Sequence, residues 1–200
     1  MKKISLVICI LISILSFGQR NKEIPSATIK ILHDSMPRVN GKYEYSEVVI
    51  LDSTYKKEML YKNSKLFFTN AFKSAKDVIQ YDDKEEGKVI VKGNFSVEGS
   101  QSGILLPYFI EEWKIDFSLE IFSKDGKYRY RLYDLNILRI ADNNVIFPIS
   151  IDDAYKETQT GITKKLDKKL FVEMLDEING TISSIKSYMS KKSSTLSSDF

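Results

Sequence analysis

The chain has 200 residues, 42% of them hydrophobic and 28% charged, with a formal net charge of +3. That length suits one domain with a tail, and the balance excludes a collagen-like repeat, wholesale disorder and a polytopic membrane protein.

Lys2 and Lys3 precede an apolar run from Ile4 to Leu15, and Ser16-Phe17-Gly18 then supplies small residues where a signal peptidase reads. This predicts a secretory signal peptide over residues 1–18, with Gln19 first in the mature chain. About a dozen apolar residues fall short of the roughly 20 that a bilayer crossing needs, so no transmembrane span is expected after cleavage. Cys9, the only cysteine, lies inside the run and lacks the small neighbours of a lipid-acceptor site. The mature chain therefore has no disulfide, thiolate metal site or cysteine nucleophile. Loss of Lys2 and Lys3 takes the net charge from +3 to +1, which offers polyanions no global field, so nucleic acid is not an expected partner.

Residues 19–41 contain Pro25, Pro37 and the single histidine, His33, with little periodicity, and are read as an extended leader. Tyr43 to Leu51 alternates and ends in Val48-Val49-Ile50-Leu51, a strand expected to be buried on both faces near its end. Asp52 or Ser53 is placed to cap a helix of about five turns, in which Leu60, Ser64, Phe67, Phe68 and Ala71 form one stripe while Lys56, Lys57, Lys62 and Lys65 take other positions. Val78 to Asp82 and Lys88 to Val97 read as strands joined through Asp83 to Gly87, where Gly87 can take the left-handed conformation of a hairpin loop.

From Trp113 to Arg139 the dipeptide Asp125-Gly126 is a strong hairpin turn. Pairing Lys124 with Lys127 sets Ile121 opposite Tyr130 and Leu119 opposite Leu132, apolar against apolar. The same register would oppose Phe117 and Asp134. A one-residue bulge near Tyr133 instead brings Phe117 to Leu135 and Ile115 to Ile137, and bends the sheet. On the other face Glu120 falls across from Arg131, read as an exposed ion pair. From Thr163 to Met189, Phe171, Met174, Ile178, Ile182, Ile185 and Met189 mark one helical stripe, widened by Leu170 and Leu175. Ser190 to Phe200 is Ser- and Lys-rich and reads as a disordered tail.

These elements predict a two-layer α+β domain over residues 42–189. A curved antiparallel sheet of about five strands carries two helices on one face, in the order β-α-β-β-β-β-α. The run from Ala71 to Gly93, AFKSAKDVIQYDDKEEGKVIVKG, and the later KDGKYRY from Lys124 to Tyr130 resemble the exported bacterial family called domain of unknown function 4468. The resemblance covers roughly Tyr43 to Ile137. It implies a TATA-binding-protein-like fold and export of the Bacteroidota type, and brings no established activity and no catalytic residues.

Asp82-Asp83 and Glu85-Glu86 offer oxygen ligands, but Lys84 and Lys88 interrupt them and the spacing is not that of a calcium loop; they read as a solvated hairpin tip. Glu111 and Glu112, beside Trp113, point to opposite faces if the strand is regular. His33 in a leader lacks a rigid neighbourhood and reads as a surface histidine. No Ser-His-Asp arrangement, phosphate loop or two-histidine spacing is evident, so no catalytic residue, cofactor or metal ligand is assigned. Asn94-Phe95-Ser96 and Asn179-Gly180-Thr181 match a glycosylation pattern only incidentally. Lys127, Arg129 and Arg131 with Tyr128, Tyr130 and Tyr133 imitate a nucleic-acid platform. Alternation, however, turns Tyr128 and Tyr130 to the helices and the arginines outward, beside Asp116 and Glu120.

Gly99-Ser100-Gln101-Ser102-Gly103 leads into an apolar segment broken by Pro107, and Ile104, Leu105, Leu106, Tyr108 and Phe109, with Arg129 and Arg131 on the open face, are the expected partner contacts. The expectation is an exported, noncatalytic module for binding or envelope assembly, its partner an unidentified protein or envelope component. The competing readings are a hydrolase of an envelope polymer using Glu111, Glu112 or Asp116, and a purely structural domain.

Overall fold

The computed structural model describes residues 26–72, 78–97, 110–141, 145–151, 153 and 164–192. The signal peptide of residues 1–18, the apolar segment of residues 104–109 and residues 193–200 lie outside them. The elements are α1 (Ser26–Ser35), β1 (Arg38–Val39), β2 (Lys42–Tyr43), β3 (Tyr45–Ile50), α2 (Lys57–Ala71), β4 (Ile79–Asp83), β5 (Lys88–Val97), β6 (Ile110–Lys124), β7 (Lys127–Ala141), β8 (Val145–Ser150) and α3 (Lys164–Met189).

The sheet is antiparallel, in the order β3-β7-β6-β5-β4, with β8 also pairing β7. The predicted α+β order thus stands, with β8 as a sixth strand and α1 and the β1–β2 hairpin added in front. Lys124 pairs with Lys127, Ile121 with Tyr130, Leu119 with Leu132 and Ile115 with Ile137. The expected bulge lies where the register shifts between Asp116 and Ser118, and Asp134 takes φ +54. The extra residue is absorbed by a side chain type that tolerates the left-handed region, so the apolar face stays in phase past the irregularity.

That face carries the core. Leu60, Phe67 and Phe68 of α2 and Phe171, Met174, Ile178, Ile185 and Met189 of α3 are buried together with Val89, Val91, Ile115, Leu119, Ile121, Tyr128, Leu132 and Ile137 of the sheet. Each fully buried Leu or Phe contributes about 1.5–3 kcal/mol from area alone. Gly93 belongs to this layer: a Cβ there would run into the Phe72 ring and sit 3.0 Å from Phe117 Cζ. Residue 93 must stay bare for the α2 terminus to seat on β5.

Four local expectations are corrected. The leader is not extended over residues 26–35, because α1 forms between Pro25 and Pro37, prolines that bracket a short helix rather than break it. Its Leu32, His33 and Met36 turn inward, and Asn40-Gly41, both at positive φ, closes the hairpin that follows. The first strand is not buried on both faces: β3 lies at the sheet margin, leaving Val48 54% and Ile50 70% exposed. The start of the tail is anchored rather than free: Ser190 and Lys191 are exposed, but Tyr55 donates to the Ser190 carbonyl at 2.7 Å and Asn63 to that of Lys191 at 2.8 Å.

The fourth correction concerns the start of α2. Asp52 closes the preceding turn, accepting from Thr54 N at 2.9 Å, and Lys56 at the N-cap provides no side-chain bond. The cap comes from another element: Asp125, at the β6–β7 turn, accepts from Lys57 N at 2.8 Å. Gly126 in the same turn donates to Tyr55 O and accepts from Leu51 N, both at 2.8 Å. The hairpin tip and the β3–α2 connection thus hold one another. Asp125→Ala should lower stability by about 1 kcal/mol, the usual worth of a helix cap, while Asp125→Asn retains most of it. Urea unfolding midpoints of the two variants check this.

Candidate functional site: the outer face of the sheet

Alternation that sends the apolar residues of β5, β6 and β7 to the helices sends Lys88, Lys92, Asn94, Lys114, Asp116, Ser118, Glu120, Phe122, Lys127, Arg129 and Arg131 to the opposite face. Among the described residues no helix covers that side. Its centre is Glu120, which is 3% exposed despite its charge. Arg129 donates to Glu120 Oε1 at 2.7 Å, and Lys88 and Arg131 stand 3.7 and 3.8 Å from Oε2. The register pairing with Arg131 is as expected, but the exposed pair is corrected to a buried carboxylate ringed by three cations. Their long stems exclude water from it. Arg131 also grips Glu44 through two bonds, 2.9 Å from Nε and 2.8 Å from Nη2. This fork holds the Glu44 carboxyl below the ordinary carboxylate range and pushes the arginine up.

Two hollows flank this centre. The larger, about 240 Å³, is lined by Lys92, Asn94, Asp116, Ser118, Asp134 and Asn136, among others, at the bulge. Ser118 donates to Asp134 Oδ2 at 3.3 Å. Burial raises the Asp116 carboxyl above its ordinary value, against the lowering influence of Lys114 and Lys92. The smaller, about 180 Å³, is formed by Val48, Phe122, Lys124, Lys127, Tyr128 and Arg129 near the hairpin tip.

The candidate residues distribute unevenly over this surface. Arg129 and Arg131 lie on it, as expected, with their charge already engaged by Glu120 and Glu44. Tyr128 and Tyr130 face the helices and are buried, as alternation required. Ile104, Leu105, Leu106, Tyr108 and Phe109 lie outside the described residues. Glu111 and Glu112 fall at a second register shift of β6, and their side chains are likewise outside the description; Asp116 lines the larger hollow. Asp82 of the hairpin tip accepts from Tyr61 and pairs with Lys65, tying β4 to α2. No group of three or more potential metal-ligating side chains occurs among the described residues.

His33 departs most from the sequence reading. It is buried on α1, with its Nε2 2.6 Å from Tyr43 Oη and its Nδ1 3.2 Å from Asp34 Oδ1. Arg38 stacks over Tyr43 at 4.5 Å and bonds its hydroxyl, and the edge of His33 meets Phe171. The imidazole pins α1 to β2 and α3 instead of facing solvent. The spacing of Leu32, His33 and Met36 on one helical face was the available signal.

Residues 45–137 match the family model described as domain of unknown function (DUF4468) with TBP-like fold. That segment is a DUF4468 domain. Two solved structures share the fold. A DUF4468 family protein from Bacteroides ovatus superposes with a TM-score of 0.57 at 13% identity, covering 80% of this chain and 92% of that one. A TBP-like protein from Parabacteroides distasonis gives a TM-score of 0.59 at 12% identity, with 77% and 96% covered. No curated protein matches. No described helix is long and apolar enough to cross a membrane.

The Glu44–Arg131 fork yields a signed pH dependence. A carboxyl depressed by folding stabilises the fold above its unfolded value, about 4.3, and loses that contribution as pH falls through its lower folded value. Glu44→Gln should therefore cost about 1 kcal/mol at pH 7, with the gap to the parent closing below about pH 4. Thermal melts from pH 7 to 2.5 read it directly.

Proposed function

We propose that this protein is exported and acts as a noncatalytic binding or envelope-assembly module, with the outer face of its sheet as the working surface. The observation that carries this reading is a sheet with helices α2 and α3 on one side and none, among the described residues, on the other. A domain that needed only stability would gain by covering that side or by making it uniformly polar. Instead it holds the exposed Val48 and Ile50 and two hollows around a buried Glu120. Export rests on Lys2, Lys3 and the apolar run that follows, and is consistent with a mature chain free of cysteine.

A second reading, hydrolysis of an envelope polymer, draws on Asp116 and Asp134, which line one hollow, with the Asp116 carboxyl raised by burial as a general acid requires. The DUF4468 description names no reaction, and Lys92 in the same hollow opposes a raised carboxyl.

One experiment separates these readings. The full chain, tagged at its C-terminus, is expressed in a Bacteroides host, fractionated and purified with what remains bound. A binding module should begin at Gln19, partition outside the cytoplasm and retain an intact envelope protein or polymer. An uncleaved N-terminus in the cytoplasm would overturn export. A retained polymer that is shortened by the parent and intact with Asp116→Asn would establish the hydrolase instead.

A further inference from the structure

We propose that the free edge of β3 takes an extended acidic peptide segment as an added antiparallel strand, with one apolar side chain of that segment packed against the exposed Val48 and Ile50. The proposal rests on the outer-face reading above and names its partner class.

Three independent features converge there. The first is an unguarded edge. Sheet margins are ordinarily protected by proline, bulges or charges. β4, at the far margin, has a register shift between Ile79 and Tyr81 and ends in Asp82-Asp83, and β8 contains Pro148. β3 reads YSEVVI, without proline, lysine or irregularity, and among the described residues pairs only with β7. Its one charge, Glu47, is turned to the helix layer, where Lys186 Nζ lies 2.6 Å away and Tyr130 donates at 2.8 Å.

The second is apolar area at that edge. Val48 and Ile50 stand 54% and 70% exposed, and the hollow of about 180 Å³ continues the apolar surface inward from Val48, over β7, to the Phe122 ring.

The third is charge. Lys127 pairs with Ile50 in the ladder and Lys124 with Lys127 across the turn, so both ammonium groups flank the apolar positions. Neither has a carboxylate partner among the described residues, and Lys124 lies 5.0 Å over the Phe122 ring. Asp125, between them, is occupied at the start of α2. Cations without carboxylate partners beside an exposed apolar patch select an anionic partner. The backbone edge of β3 selects a peptide, because another strand matches its alternating N–H and C=O groups in register.

The test uses the mature chain, residues 19–200, labelled with ¹⁵N. The probe is an end-blocked heptapeptide in which Thr alternates with Glu, Val and Glu, so that one face carries both acids and the apolar side chain. Its control has Lys for Glu. The expected result is shifts in the amides of residues 46–50 with the acidic probe, weakening with added salt, and an affinity loss of about tenfold or more in Lys124→Glu/Lys127→Glu. Both substitutions are at exposed positions outside the core, so the parent spectrum should persist elsewhere. Absence of those shifts at about 1 mM probe, equal binding of the lysine control, or shifts confined to the Asp116 hollow would overturn it. If Lys124→Glu/Lys127→Glu still retains its envelope partner on co-purification, the edge site falls and the binding-module reading stands.

Discussion

The hairpin of β6 and β7 is the constraint on which the rest depends. Its strands run 15 residues each, and every other strand of the sheet except β4 pairs with one of them. Asp125-Gly126 sets the register at one end, and the bulge at Asp134 restores it where Phe117 would otherwise meet a charge. The turn also caps α2 and holds the β3–α2 connection. A register error of one residue would turn β7 over relative to β6, placing Arg129 and Arg131 under the helices and Tyr128 and Tyr130 in water.

Most of this was legible in the chain wherever the deciding contact is local or periodic. Asp125-Gly126, the alternation of Leu119, Ile121, Tyr130 and Leu132, and the stripe of α3 each carry their own evidence. The errors share a different origin. The Asp125 cap arrives from 68 residues away, so a search of the nearest residues settles on Asp52 instead. The burial of Glu120 depends on three cations from β5 and β7 folding over it, which pairwise register does not reveal. Alpha-helix α1 is short and its apolar face is small, and two prolines made it resemble a linker until their positions just outside its ends are noticed.

The candidate surface was legible in outline only. Alternation placed Arg129 and Arg131 on the uncovered side, but their engagement by Glu120 and Glu44 makes them part of the surface's construction, and Lys124 and Lys127 are the charges beside Val48 that have no carboxylate partner among the described residues. The exposed Val48 and Ile50 were hidden by the same logic in reverse. A run of β-branched residues looks like a central strand, and only the strand order puts it at a margin. The apolar core lies on one face of this sheet, so substitutions at exposed outer-face positions such as Lys124 and Lys127 can be separated from folding.

Native-state hydrogen exchange measures both halves of that claim in one spectrum. The account predicts that the amides of Leu119, Ile121 and Leu132, at the centre of β6 and β7, exchange only through global unfolding. The amides of residues 46–50 that point off the sheet should exchange fastest among its strands. Slow exchange along the whole of β3, or a β6–β7 hairpin that opens before β4 and β5, would contradict it.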